Sequence, residues 1–191
     1  YEEVSQTPLF YQFQFNSPIN IPYKATEAKY TPDVDIGGFL EMTNNYLFSK
    51  NSSTEWTEVG IGTTITNVPV PTKYSDIKVK LQLPLNFNDA NTDDFSYLIN
   101  LPGFGAMGQD GTLSYTVDGW GILKTPAGSF EVLRVKTEVT KSDTIFIQLL
   151  GFGIRIPSNE TIYEWYSKGE GFSILTVTEQ LGQITSTVYN D

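Results

Sequence analysis

Hydrophobic and polar residues alternate with a period of two along most of this chain. The alternation is clearest over residues 9–15, 59–65, 77–85 and 113–117. A period of two predicts strands with one buried face and one solvated face. It favours antiparallel sheets, because strands of parallel sheets are covered on both faces and are apolar throughout. We therefore expect an all-β antiparallel protein, and no segment predicts a helix.

Turn residues divide the second half of the chain into a meander. Pro126-Ala127-Gly128 predicts a hairpin turn, and Pro157-Ser158-Asn159 predicts a further break. Pro84 cannot donate to a ladder, so its strand should end, bulge or lie at an edge there. Strands are expected at about 121–125, 129–140, 144–150, 161–167, 172–178 and 183–189.

The segment 130–139 changes its pattern along its length. Phe130 and Val132 share one face with Arg134 and Lys136, whereas the other face stays largely apolar. A strand in a strongly bent sheet would leave one packing layer in this way. We expect a strongly curved sheet, an open or half barrel with meander connections, and a two-layer β-sandwich is the alternative. The prediction is one domain over residues 1–191, with residues 1–7 frayed.

The composition excludes several common chemistries. The 191 residues include no cysteine and no histidine, so catalytic triads, thiolate nucleophiles, disulfides and imidazole metal sites are ruled out. The formal net charge of −10 opposes binding to nucleic acid or to anionic lipid. No apolar run is long enough for a membrane-spanning helix.

A run of Asp and Asn suggests a Ca²⁺ site, because hard cations take oxygen ligands. The candidate ligands are Asp89, Asn91, Asp93 and Asp94. The run departs from a helix–loop–helix calcium loop, since Asp94 takes the place of the glycine and Asn100 that of the bidentate glutamate. The alternative is a solvated acidic turn, which the same residue types favour.

Four aromatic residues are candidate ligand-binding residues. Trp120 lies between two glycines, which would leave its face uncovered for a sugar or an apolar ligand. Trp165 shares a strand face with Tyr163, whereas Phe104 and Phe152 lie in glycine-flanked breaks where they could form apolar lips over a cavity. Core packing is the competing interpretation for all four.

Glycoside hydrolysis needs only two carboxylates and no histidine, so it stays open as an enzymatic alternative. No local pattern fixes a pair. The candidates are Glu41, Glu55, Glu58, Glu131 and Glu164.

The last 110 or so residues resemble a group of uncharacterised exported all-β proteins from Bacteroidetes bacteria. The resemblance lies in Pro-Leu-Asn-Phe-Asn-Asp (84–89), the Gly-Trp-Gly to Arg-Val-Lys stretch (119–136), Asp-Thr-Ile-Phe-Ile (143–147) and Glu-Trp-Tyr-Ser-Lys-Gly (164–169). It implies export and an all-β fold, and it implies no activity. Members of the group often carry a signal peptide and a C-terminal sorting domain.

These observations predict a non-catalytic exported protein of the periplasm or cell surface, or a secreted one, with a binding or structural role. Because the chain begins at Tyr1 without a methionine, we expect the signal peptide to be left off this fragment. The first specific expectation is an apolar small molecule in the concave face, formed by 130–139 and 144–150 with Phe104 and Phe152. A carbohydrate-binding or adhesive module is the alternative.

Overall fold

The computed structural model describes residues 1–36, 40–101 and 103–190. Within these residues, eleven strands form one antiparallel sheet that curls into a half-barrel. The sheet order is β1-β3-β4-β5-β6-β7-β8-β9-β10-β11, and β2 pairs with β3. The predicted all-β, curved-sheet class is therefore confirmed. The strands are β1 (Glu27–Thr31), β2 (Val34–Ile36), β3 (Leu40–Asn51), β4 (Glu55–Ile65), β5 (Val68–Gln82), β6 (Ala90–Leu101), β7 (Gly105–Thr125), β8 (Gly128–Ile147), β9 (Phe152–Ser167), β10 (Leu175–Gln180) and β11 (Gln183–Tyr189).

Four helical segments accompany the sheet within the described residues. One is an α-helix, α1 (Leu9–Phe15), and three are single 3₁₀ turns at Val4–Gln6, Ile21–Tyr23 and Gln148–Leu150. None of the helices in the described part of the chain is long and apolar enough to cross a membrane.

The meander gives the half-barrel two distinct ends, because each hairpin reverses the chain. The β3–β4, β5–β6, β7–β8 and β9–β10 connections lie at one end, which we call the cleft end. The β4–β5, β6–β7 and β8–β9 connections lie at the other, which we call the tip end. β5 ends at Gln82, two residues before Pro84, as the missing N–H of that proline predicts.

The interior of the half-barrel holds the main core. Cross-strand pairs such as Leu113 with Val139 and Val117 with Val135 place apolar side chains on one face, as the alternation predicts. A smaller cluster at the tip end joins Leu40 and Ile65 to β6. The buried residues of the main core are Trp56, Tyr74, Leu81, Phe95, Leu113, Tyr115, Val117, Val135 and Val139.

The prediction of a strand at 9–15 is wrong, because Leu9–Phe15 forms α1. Tyr11 and Phe15 lie four residues apart, so they occupy one face of a helix, and both are completely buried. Phe15 stacks on Phe48 at 4.1 Å between ring centroids. The segment is compatible with the strand period of two and with the helical spacing of four residues, and contacts with the sheet decide in favour of the helix.

Two further local expectations differ from the structure. Residues 1–7, expected to be frayed, contact the sheet, since Glu2 pairs with Ala28 and Val4 is buried. The predicted break at 157–159 is absent, because β9 continues through Pro157. Pro157 is tolerated because β10 pairs only with residues 161–165 of β9, so the strand is an edge at that position.

Candidate functional site

A cleft of about 680 Å³ opens at the cleft end of the half-barrel. Its inner wall joins Trp56 of β4, Leu81 of β5, Leu133 of β8 and Tyr166 of β9. Sheet register makes this wall, since Trp56 pairs with Leu81 and Leu133 pairs with Tyr166. The volume lies in the range of small-molecule pockets, roughly 300–1,000 Å³.

The mouth of the cleft is made by the connections that follow the strands. After β5 ends, Leu83, Pro84 and Leu85 leave the sheet and line the opening with apolar surface. Polar groups lie around them on the β3–β4, β7–β8 and β9–β10 segments. These rim residues are Asn51, Ser52, Ser53, Glu131, Ser167, Lys168, Gly169, Glu170 and Gly171.

A buried ion pair links β5 to β9 next to the inner wall. Lys80 Nζ lies 2.8 Å from Glu164 Oε1, and the same ammonium lies 4.4 Å from the ring centroid of Trp56. Burial by itself lowers the pKa of Lys80, but the Glu164 carboxylate outweighs it and holds that pKa well above the usual value. Lys80 is therefore a permanent cation.

A second pair lies beside the first. Lys78 Nζ contacts Glu58 Oε2 at 3.0 Å. Burial acts to raise the pKa of Glu58, but Lys78 and Lys80 together leave it below the usual value. Burial also raises the pKa of Tyr166 well above its usual range, so the phenol at the wall stays neutral. The site thus combines an apolar wall with fixed, mutually neutralised charges.

The four aromatic candidates occupy different places. Trp120 is 74 % exposed and lines a shallow depression of about 320 Å³ together with Arg134 and Trp165. Trp165 faces away from the cleft, because it alternates along β9 with Glu164 and Tyr166. The Asp118 carboxylate accepts two hydrogen bonds from Arg134, at 2.8 and 3.0 Å, which fixes the guanidinium beside the depression.

Phe104 and Phe152 lie at the tip end, far from the cleft. Phe152 pairs with Ile147, and the backbone oxygen of Phe104 accepts a hydrogen bond from the Gln148 amide at 2.8 Å. The strand between Val132 in the cleft and Phe146 is about 45 Å long, at about 3.3 Å per residue. Phe104 borders an apolar crevice of only about 40 Å³. The structure therefore brings these two phenylalanines together but separates them from the cleft and from both tryptophans.

The candidate calcium ligands do not converge. Residues 90–101 form β6, so Asp93 and Asp94 project to opposite faces of the sheet. Asp93 accepts a hydrogen bond from the Val79 amide, Asp94 accepts one from the Thr112 hydroxyl, and Asp89 accepts one from the Asn86 amide. Asn91 pairs with Tyr115. Nowhere among the described residues do three acidic, histidine or cysteine side chains form a group that could hold a metal ion.

The candidate glycosidase carboxylates are dispersed over four strands, β3, β4, β8 and β9. Glu58 and Glu164 are each held by a lysine, and Glu131 lies on the rim of the cleft. Glu41 pairs with Asp35, and Glu55 pairs with Gln82. Hydrolysis by a carboxylate pair stays a sequence-based alternative.

Most of the cleft residues were not identified from the sequence. The start of the predicted concave strand contributes Val132 and Leu133, but its later part and the segment 144–150 do not. Trp56, Leu83, Leu85 and Tyr166 come from three other elements. The break at Pro84 was the signal in the sequence that could have indicated the cleft. The strand ends there, and the apolar residues on either side of Pro84 need another surface to cover them.

Comparison of the chain with models of protein families, with curated proteins and with solved structures gave no match.

Proposed function

We propose that this chain is a non-catalytic binding protein that holds an apolar small molecule in the cleft. The observation that carries the proposal is an apolar wall of Trp56, Leu81, Leu133 and Tyr166 around about 680 Å³ at the open end of the half-barrel. Each Å² of apolar surface that a ligand removes from water contributes about 25 cal/mol. Tyr166, which is only partly buried, adds an aromatic ring against which rings or chains can pack.

The charges near the wall favour an uncharged ligand body. Lys80 and Glu164 neutralise each other, so neither has a free charge to offer an ionic group. The polar rim, with Ser52, Ser53 and Ser167, suits a small hydroxyl or amide head group at the mouth. We place the protein outside the cytoplasm on the resemblance of residues 84–169 to exported Bacteroidetes proteins and on the scarcity of charged residues.

Binding of the neutral dye N-phenyl-1-naphthylamine, followed by its fluorescence, tests the proposal. We expect saturable binding by the unaltered protein. Leu85→Gln adds polarity to the mouth, and Gly171→Phe adds bulk at a position with open space around it and ordinary backbone angles. Each variant should raise the dissociation constant of the dye at least tenfold.

Leu181→Gln is the matched control, because Leu181 is fully exposed and lies outside the cleft. Its dissociation constant should equal that of the unaltered protein. Absence of dye binding, or equal binding by all four proteins, would contradict the proposal, provided that thermal melting shows each variant to be folded.

A glycan-binding role is the second candidate, because Trp120 is exposed beside Arg134 and Trp165. The aromatic face of Trp120 can stack on a sugar ring, and the fixed guanidinium of Arg134 can donate hydrogen bonds to the hydroxyls of that sugar. Loss of glycan-array signals in Trp120→Ala but not in Gly171→Phe would favour this site over the cleft.

A further inference from the structure

Three hairpin connections at the tip end of the half-barrel contain no charged residue. Residues 59–72, 95–109 and 144–154 contain no Asp, Glu, Lys or Arg. These segments include the β4–β5, β6–β7 and β8–β9 connections. The cleft end differs, since Asp89, Lys168 and Glu170 lie in its connections. These three connections are therefore uncharged, and the carboxylates at this end, Asp35 and Glu41, lie on β2 and β3.

Large apolar side chains are exposed at the same end. Phe104 is 45 % exposed, Phe152 is 56 % exposed and Leu150 is 67 % exposed. Contiguous exposed apolar surface on a folded protein usually marks a contact with a partner or a membrane. Val68, Phe146, Ile154 and Ile156 are further exposed apolar residues at or near this end.

Glycine turns present two of these apolar side chains at the tip end. Gly103 and Gly151, which immediately precede Phe104 and Phe152, have φ of +81° and +58° and nothing within 4 Å of an added Cβ. Each glycine therefore makes a tight turn, and the Gln148 amide joins the two connections by donating a hydrogen bond to the backbone oxygen of Phe104. Successive hairpins are two strands apart, or roughly 10 Å at about 4.8 Å per strand.

We propose that the tip end docks on the surface of an electrically neutral lipid bilayer, with Phe104, Leu150 and Phe152 inserted at the level of the head groups. A fluid bilayer accepts several projecting apolar side chains at once, whereas a folded protein would need a matching hollow for each. Phe and Leu are among the side chains that interfacial segments bury at the boundary between head groups and acyl chains. The net charge of −10 disfavours anionic lipid, and the uncharged tips give anionic lipid nothing to bind. This proposal does not depend on the cleft and its ligand.

Flotation with phosphatidylcholine vesicles tests the docking. We expect the unaltered protein to float with the vesicles, equally at low and high salt, because an apolar contact is not screened. Replacing half of the lipid by phosphatidylglycerol should reduce the bound fraction at low salt. The double variant Phe104→Ser with Phe152→Ser should bind at least tenfold less.

Phe87→Ser is the matched control, because Phe87 is 48 % exposed but lies in the β5–β6 connection at the cleft end. It should float like the unaltered protein. Since the chain has no cysteine, Phe104→Cys, Phe152→Cys and Phe87→Cys each accept one polarity-sensitive fluorophore. On vesicles the label should shift to the blue at 104 and 152 and stay unchanged at 87.

Several results would overturn the proposal. They are absence of flotation, equal flotation of the double variant, and an equal spectral shift of the label at 87. A concentration-dependent dimer that the double variant loses, without vesicle binding, would instead assign the tip end to a second copy of the chain. Thermal melting confirms that each variant is folded.

Discussion

Two lysine–glutamate ion pairs lie largely buried in the half-barrel. Glu164 has only 6 % of its side chain exposed, and its single lysine partner comes from a strand 84 residues earlier in sequence. Nothing in the local sequence distinguishes Glu164 from the surface acids. Alternation places it on the face of Tyr166, but only the curl of the sheet brings Lys80 to meet it.

Glu164→Gln should lower the free energy of unfolding by about 3 kcal/mol, because it leaves the Lys80 ammonium buried without its closest counter-charge. Urea denaturation measures the change. Glu138→Gln is the control, since the Lys136–Glu138 pair is largely exposed. That variant should lose less than about 1 kcal/mol. Equal losses in the two variants would show that the interior pair has no special weight.

At the scale of the element, α1 shows how a small surface feature selects a conformation. Cβ atoms added at Gly60 and Gly62 would lie 2.4 Å and 2.7 Å from the rings of Phe15 and Tyr11. The two glycines therefore leave a groove on β4 into which the rings of Phe15 and Tyr11 pack. The alternation over 9–15 predicted a strand, because a sequence pattern carries no information about the shape of the surface against which the segment packs.

Gly62→Ala should lower the free energy of unfolding by about 1–3 kcal/mol, since the added methyl group overpacks the groove and displaces Tyr11. The hydrogen bond between the Tyr11 and Thr64 hydroxyls, 2.8 Å long, should be lost with it. Urea denaturation and limited proteolysis near α1 follow the effect. Gly171→Ala, which meets no atom within 4 Å, should change neither. An unchanged stability of Gly62→Ala would show that α1 does not depend on this groove.

At the scale of the whole molecule, the sheet has a seam between β5 and β6. One residue pair, Asp76 with Ser96, joins these strands in register, whereas β6 and β7 pair continuously from Ala90 to Leu101. The register between β4 and β5 shifts over the same region, between the Glu58–Lys78 and Gly60–Lys73 pairs. A curled sheet has to bend somewhere, and this is where its ladder is thinnest.

Hydrogen exchange should detect the seam. Amides of residues 74–77 should exchange faster than those of 113–117 in β7, although both segments contribute side chains to the main core. The reason is that exchange follows the stability of the backbone hydrogen bonds, which are few at the seam. Exchange measured by mass spectrometry on peptides covering both segments provides the comparison. Equal protection would contradict a weak point at the seam.

The sequence by itself determined the all-β class of fold and the meander order in which its strands are connected. The period of two, the turn residues and Pro84 are local signals, and they suffice because a half-buried strand has the same pattern wherever it lies in a sheet. The composition also determined which chemistries are absent, since the chain has no histidine and no cysteine. The face change in 130–139 predicted a curved sheet, and β8 follows such a curve.

Only the tertiary structure decided which residues share a site. Trp56, Leu81, Leu133 and Tyr166 are far apart in sequence and meet because the sheet curls. The length of β8 separates Trp120 from Phe104 and Phe152, and alternation along β6 places Asp93 and Asp94 on opposite faces of the sheet. Alternation fixes the face of each side chain but not the distance between strands that are not neighbours. That distance depends on curvature, which is the sum of many small twists and bulges along the sheet.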